Sequence, residues 1–103
     1  MDFLTLAKKR CTTRGFMEKE ILSKDLEQIL SAGRVAPTAC NRQPQRIIVV
    51  RRRENMVKVE KAYRTFDAPC ALIVCRDRRG ELIRPYDKKC SGDLDIGIVC
   101  DHM

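Results

Sequence analysis

The apolar residues of this chain recur at helical spacing in four segments. The first predicted helix has Asp2 as its N-cap and ends near the basic run at residues 8–10, whose charge suits a helix C-terminus. Its apolar positions are Phe3, Leu6 and Ala7. The second has Ser23 as its expected N-cap and stops before Pro37. The face that it is expected to bury consists of Leu22, Leu26, Ile29, Leu30 and Gly33.

Two further helical patterns lie in the second half of the sequence. The third is carried by Met56, Val57, Val59, Ala62 and Tyr63. The fourth is expected to start at Asp93 as N-cap, and its apolar residues lie nearly all round the cylinder: Leu94, Ile96, Ile98, Val99, Cys100 and Met103. Such a helix belongs in a core, yet the sequence stops at Met103 without a helix-stop signal.

Two β-branched or apolar runs, residues 46–51 and 68–75, predict short strands, the second with Pro69 at its start. Their unbroken apolar character indicates strands covered on both faces. Polar residues 76–92 predict a long loop of functional importance. Because two strands are too few for a stable sheet, we expect that half of the domain lies outside this sequence.

Charge and length narrow the range of functions. A chain of 103 residues makes one domain at most. Its net charge of +7 predicts an anionic partner, which a nucleic acid, a phosphorylated cofactor or a phosphorylated substrate would satisfy. Aromatic residues make up only 5% of the chain, and none lies within the arginine clusters at residues 51–53 and 76–79. A stacking platform for single-stranded nucleic acid is therefore not expected.

The six cysteines do not predict a disulfide framework or a metal site. No Cys-x-x-Cys pair is present, and the N-terminus places its charges after the apolar stretch, unlike a secretory signal. The uncharged run at 68–75 is far too short for a membrane helix. We therefore expect a cytoplasmic protein with reduced thiols and no bound metal.

Residues 10–14, here named the basic segment, contain Arg10, Thr12, Thr13 and Arg14. Guanidinium groups bind phosphate in a bidentate manner and hydroxyls add short hydrogen bonds, so the segment suits one phosphate monoester. A solvated basic turn is the alternative interpretation.

Residues 36–44, here named the carboxamide loop, combine Pro37, Thr38, Asn41, Gln43 and Pro44. Paired donors and acceptors on carboxamides suit the edge of a planar heterocycle, and prolines reduce the entropy lost on binding. Taken alone, the loop also fits an ordinary connection between a helix and a strand.

In this order and spacing, the two segments resemble the FMN-dependent nitroreductase family. The resemblance covers essentially the whole chain and corresponds to about the first half of a family domain. The matching positions are residues 3–10, Thr12, Arg14, 29–38, 41–46, 68–74, 84–87 and 93–98. It implies an α+β fold, a three-layer α/β/α sandwich truncated after its N-terminal half. The chain, residues 1–103, would be a partial FMN-binding domain that forms a homodimer with the flavin at the interface.

The resemblance also assigns roles to residues. It implies that Arg10, Thr12 and Arg14 bind the phosphate and ring edge of FMN, and that Arg14 stabilises the reduced flavin. The residues implied to face the isoalloxazine from the other subunit are Pro37, Thr38, Asn41 and Gln43. The implied activity is a ping-pong transfer of electrons from NAD(P)H to a nitroaromatic, quinone or similar acceptor, in which the flavin rather than a protein side chain carries the chemistry.

Two departures from the family pattern are Cys11, which lies between cationic neighbours, and Lys88, where short members tend to have glycine. The sequence leaves two alternative functions open. One is a non-catalytic remnant or assembly partner without flavin, suggested by the absent second half. The other is a small basic nucleic-acid-binding protein, suggested by the net charge of +7.

Overall fold

The computed structural model describes residues 1–103 and contains four helices and one two-stranded sheet. In chain order the elements are α1 (Phe3–Lys9), α2 (Ser23–Val35), β1 (Gln45–Val50), α3 (Arg53–Glu60), β2 (Ala71–Arg76) and α4 (Gly92–His102). A 3-10 turn at Ala39–Asn41 lies between α2 and β1. The predicted α+β class and the predicted order of elements are confirmed. None of the four helices has both the length and the apolar character needed to cross a lipid bilayer.

The sheet is antiparallel, and its register runs from the pair Gln45–Arg76 to the pair Val50–Ala71. One face lies towards α2, since a Cβ placed on Gly33 would lie 3.3 Å from the Cδ1 of Ile47. On the other face the directly paired Ile48 and Ile73 are 53% and 38% exposed. The expectation that both faces are covered is therefore wrong for this chain, whose helices α2 and α4 cover the first face only.

Helix α4 is the element around which the core is organised. It contacts both strands and α2, and its Val99 is fully buried. The other buried apolar side chains are Leu26, Ala36, Pro44, Val50 and Met56. The expectation that the apolar residues all round α4 are buried in a core is wrong at Leu94, which is 70% exposed. Its buried face instead carries Asp95 together with Val99, one helical turn apart.

The observed N-termini of the helices can be compared with the predicted N-cap residues. Asp2 caps α1 as expected, because its side chain accepts a hydrogen bond from the Thr5 amide at 3.0 Å. Ser23 is not a cap but the first residue of α2, after Leu22. Asp93 also lies inside its helix, and Ser91 takes the N-cap position of α4. In both cases the helix starts one or two residues earlier than the side-chain preference indicated.

Gly92 lies where β2, the following loop and α4 meet. Arg76 of β2 lies with its Nε 3.5 Å from the Oε2 of Glu81 and its Nη1 2.6 Å from the Oδ1 of Asp93. The Glu81 side chain is buried, and the space that a Cβ on Gly92 would need is already filled by its Oε2 and by the Cδ of Arg76. A glycine is therefore required for this close approach.

We expect Gly92→Ala to lower the free energy of unfolding by about 1–3 kcal/mol, because the added methyl group must displace the Arg76–Glu81 pair. Gly97→Ala in the same helix is the matched control. No heavy atom lies within 4 Å of its added Cβ. That control should raise the free energy of unfolding by up to about 1 kcal/mol through helix propensity. Urea denaturation measures the free energy of unfolding of both variants. Equal changes of this free energy in the same direction would contradict the packing described for Gly92.

Candidate functional site

The basic segment follows α1 directly and is open to solvent. Arg10 is the C-cap residue of α1, and Arg10, Thr12 and Arg14 are all exposed. Neither arginine has a carboxylate within ion-pair distance. Two guanidinium groups separated by three residues are thus free to bind an anion.

Thr12 and Arg14 line one cavity. Its volume is about 530 Å³, and its apolar wall includes Phe16, Leu72 and Ile73. Arg14 also borders an adjoining cavity of about 590 Å³, formed with residues 60–67 after α3. Both volumes fall in the range of about 300–1,000 Å³ that is typical of small-molecule sites. The structure therefore brings two of the three predicted residues of the basic segment to one cavity, whereas Arg10 borders neither.

The carboxamide loop has a strained backbone. Three of its residues have positive φ values, namely Cys40 (50°), Asn41 (52°) and Gln43 (52°). Left-handed conformations of residues other than glycine cost about 1–3 kcal/mol each, and they persist only where surrounding interactions hold them. Such strain is concentrated at ligand-binding and active sites.

Side-chain hydrogen bonds hold the predicted loop residues together. The Thr38 hydroxyl accepts hydrogen bonds from the backbone N–H of Gln43 at 3.0 Å and from the side-chain Nε2 of Gln43 at 3.2 Å. The Gln43 Nε2 also donates to the Asn41 Oδ1 at 2.7 Å, and the Gln45 Nε2 donates to the Gln43 Oε1 at 2.8 Å. Pro37 is exposed and precedes this network. Thr38, Asn41 and Gln43 thus form one ordered polar cluster.

Both ends of the carboxamide loop are attached to other elements. At its start, the Ala39 amide donates to the Oδ1 of Asp95 in α4 at 2.9 Å. At its end, the carbonyl of the buried Pro44 accepts from the Asp77 amide at 2.7 Å. The sequence analysis did not identify Asp95 as a candidate site residue. The spacing of four residues between Asp95 and the buried Val99 is the signal that places both on one face.

Asp77 forms an electrostatic cluster beside this attachment. Its carboxylate accepts from the Arg79 Nε at 2.9 Å and from the Arg79 Nη2 at 2.8 Å, and the Arg46 Nη2 lies 3.7 Å away. The hydrogen bonds from Arg79, with a smaller contribution from the charge of Arg46, hold the pKa of the Asp77 carboxyl well below its ordinary value. The cluster therefore ties the end of β2 to β1 next to the carboxamide loop.

The two predicted segments do not meet within one chain. Arg14 and Thr12 border the cavities near α3, while Gln43 borders a separate cavity of about 380 Å³ between α2 and β1, lined also by Leu30, Arg34 and Ile47. No hydrogen bond joins the basic segment to the carboxamide loop. The basic segment and the carboxamide loop therefore border different cavities of the chain.

Comparisons with known proteins identify relatives over most of the sequence. The model of the nitroreductase family matches residues 7–66. A protein of Archaeoglobus fulgidus, provisionally named NADH dehydrogenase/NAD(P)H nitroreductase, is 37% identical over 91 residues, which are 84% of this chain and 51% of the relative. A protein of Methanothermobacter thermautotrophicus with the same name is 34% identical over 87 residues, 81% of this chain and 46% of the relative. The chain thus spans about half the length of the curated relatives it matches.

Solved structures share the fold. A nitroreductase family protein from Clostridium difficile superposes with a TM-score of 0.96 at 43% identity, and the match covers 99% of this chain and 59% of that one. A nitroreductase with bound FMN from Desulfitobacterium hafniense has a TM-score of 0.73 at 23% identity, with coverages of 96% and 60%. At that identity the second likeness concerns the fold alone.

The Asp77 cluster predicts a pH dependence of stability. Because the pKa of Asp77 is lowered on folding, its ion pairs stabilise the fold fully above the ordinary value of 3.8, and the contribution is lost as the pH falls below it. Asp77→Asn should therefore be less stable than the wild type at neutral pH, and the difference should shrink at about pH 3. Thermal unfolding at the two pH values measures this.

Asp101→Asn serves as the control, since the side chain of Asp101 is exposed and forms no ion pair. A difference between Asp77→Asn and the wild type that is the same at both pH values would contradict the electrostatic role of Asp77.

Proposed function

Since the chain belongs to the nitroreductase family, we propose that it acts in FMN-dependent electron transfer from NAD(P)H to a nitroaromatic, quinone or similar acceptor, by a ping-pong mechanism. The names of the curated relatives support NAD(P)H as the electron donor. Bound FMN in solved structures of the same fold supports the cofactor. Because the chain covers only about half of these relatives, this activity is proposed for the chain together with whatever completes the site.

The residues of the chain fit FMN chemically. A phosphate monoester needs charge-assisted donors, and Arg10 and Arg14 are exposed arginines without carboxylate partners. A flavin ring has a polar edge and apolar faces. The cavity at Thr12 and Arg14 combines hydroxyl and guanidinium groups with an apolar wall. The placement of Thr12 and Arg14 together at one cavity with an apolar wall is the single observation that carries the proposal.

We assign the phosphate and ring edge to Arg10, Thr12 and Arg14. The chemistry that FMN supplies when bound is acceptance of a hydride from NAD(P)H and delivery of the electrons to the second substrate. Arg14 adds a fixed positive charge at the cavity, which favours an anionic ligand. The exposed Thr12 hydroxyl adds a hydrogen-bond donor between the two guanidinium groups.

We assign the side of the isoalloxazine ring away from the basic segment to the carboxamide loop of a second copy. Within one chain the loop lies at a different cavity from Arg14, which supports a homodimer in which the two segments of different copies contact one ligand. The internal hydrogen bonds of Thr38, Asn41 and Gln43 fix the loop before binding, which reduces the entropy lost on association.

Arg10→Ala and Arg14→Ala should each weaken FMN binding by about 1.5–3 kcal/mol, the value of a charge-assisted hydrogen bond. Quenching of FMN fluorescence on titration with protein measures the affinity. Arg78→Ala is the matched control, because Arg78 is exposed and forms no ion pair but lies outside the basic segment. Its affinity for FMN should equal that of the wild type.

Equal losses in all three variants would indicate general attraction by positive charge rather than a phosphate site. A wild-type chain that remains colourless after incubation with FMN would contradict the proposed function and favour a role without flavin.

A further inference from the structure

We infer that Asp95 is a positioning residue, which holds the carboxamide loop in the conformation that presents Asn41 and Gln43 to FMN. The identity of the ligand rests on the proposed function. Asp95 determines the geometry of one side of the site. Asp95 does not border the cavities of the basic segment or the cavity at Gln43, so it would act through the loop.

The contact between Asp95 and the loop joins a buried carboxylate to a partly buried amide. The Asp95 side chain is 1% exposed, and its Oδ1 accepts from the Ala39 amide at 2.9 Å across 56 residues of sequence. A backbone N–H that is partly shielded from water is costly to leave without a partner, and a buried carboxylate needs donors. Each group satisfies the other, so removal of the carboxylate leaves the first amide of the 3-10 turn without an acceptor.

The carboxylate itself is held firmly in α4. Its Oδ2 accepts from the Ser91 hydroxyl at 2.9 Å, and Asp95 lies in the first turn of the helix, where a negative charge is stabilised. Helix α4 in turn contacts both strands and α2. The anchor of the loop is therefore the most extensively packed helix of the fold.

The loop needs such an anchor because of its backbone. Cys40, Asn41 and Gln43 all have left-handed φ values, and they follow Ala39 within four residues. The opposite end is fixed through the Pro44 carbonyl and the Asp77 amide. With both ends fixed, the strained residues between them keep one arrangement. Without Asp95, the strained residues lose their hydrogen bond to α4 and keep the attachment at Pro44.

The experiment compares Asp95→Asn and Asp95→Ala with Asp93→Asn. Asp93 lies in the same helical turn and pairs with Arg76, so its substitution removes the same charge without touching the loop. The first readout is amide hydrogen exchange of Ala39, with the core amide of Met56 as a reference for global unfolding. The second is FMN affinity, together with the visible absorption band of bound FMN.

We expect Asp95→Ala to accelerate exchange at Ala39 relative to Met56 by about tenfold or more, and to weaken FMN binding by about tenfold. Asp95→Asn should retain part of the protection at Ala39 and part of the FMN affinity, since its amide oxygen can still accept a hydrogen bond. The visible absorption band of FMN bound to this variant should shift. Asp93→Asn should match the wild type in every readout. If Asp95→Ala does not fold, the comparison of Asp95→Asn with Asp93→Asn decides.

Equal acceleration at Ala39 and Met56 would show that Asp95 merely stabilises the whole fold, and this would overturn the inference. Unchanged FMN affinity with accelerated exchange at Ala39 would also overturn it, because the loop would then be mobile without effect on the ligand. If the wild-type chain binds no FMN, the proposed function fails, while exchange at Ala39 still shows whether Asp95 holds the loop.

Discussion

The hydrogen bond between the Asp95 carboxylate and the Ala39 amide connects the core of this fold to its candidate site. Helix α4 packs on the sheet and on α2, so its first turn has a fixed position relative to both. Asp95 transfers that fixed position to the start of the carboxamide loop, and the Asp77 amide does the same at the end of the loop. A strained polar loop is thereby built onto a rigid helix and a strand end, as precise binding requires.

The distribution of ion pairs separates structural from available arginines. Acidic partners are found for Arg34, Arg46, Arg53, Arg76, Arg79 and Arg84. These pairs brace helices, strand ends and the loop after β2. Arg10 and Arg14 have no such partner, and the same is true of Arg42, Arg51, Arg52, Arg64 and Arg78. Among these unpaired arginines, Arg14 lies at the cavity that Thr12 also lines, where a phosphate group could be bound.

Local patterns in the sequence were sufficient to predict the order of elements and the cap at Asp2, because helical periodicity and β-branched runs act within a few residues. Burial was predicted less well. Ile48 and Leu94 are exposed here, since the apolar character of a segment does not show which neighbours cover it. Asp95 was missed for a related reason: its partner Ala39 lies 56 residues away, and no local spacing connects them. The roles predicted for the basic segment and the carboxamide loop stay predictions.

In the proposed site, FMN binds between two copies of the chain and contacts the basic segment of one copy and the carboxamide loop of the other. The most direct measurement mixes two variants, Arg14→Ala and Asn41→Ala, each of which should bind FMN poorly alone. In a mixed dimer, one of the two sites combines an intact Arg14 with an intact Asn41. An equal mixture should therefore recover about a quarter of the wild-type FMN-binding sites after subunit exchange. A mixture that binds no more FMN than the separate variants would contradict a site shared between copies.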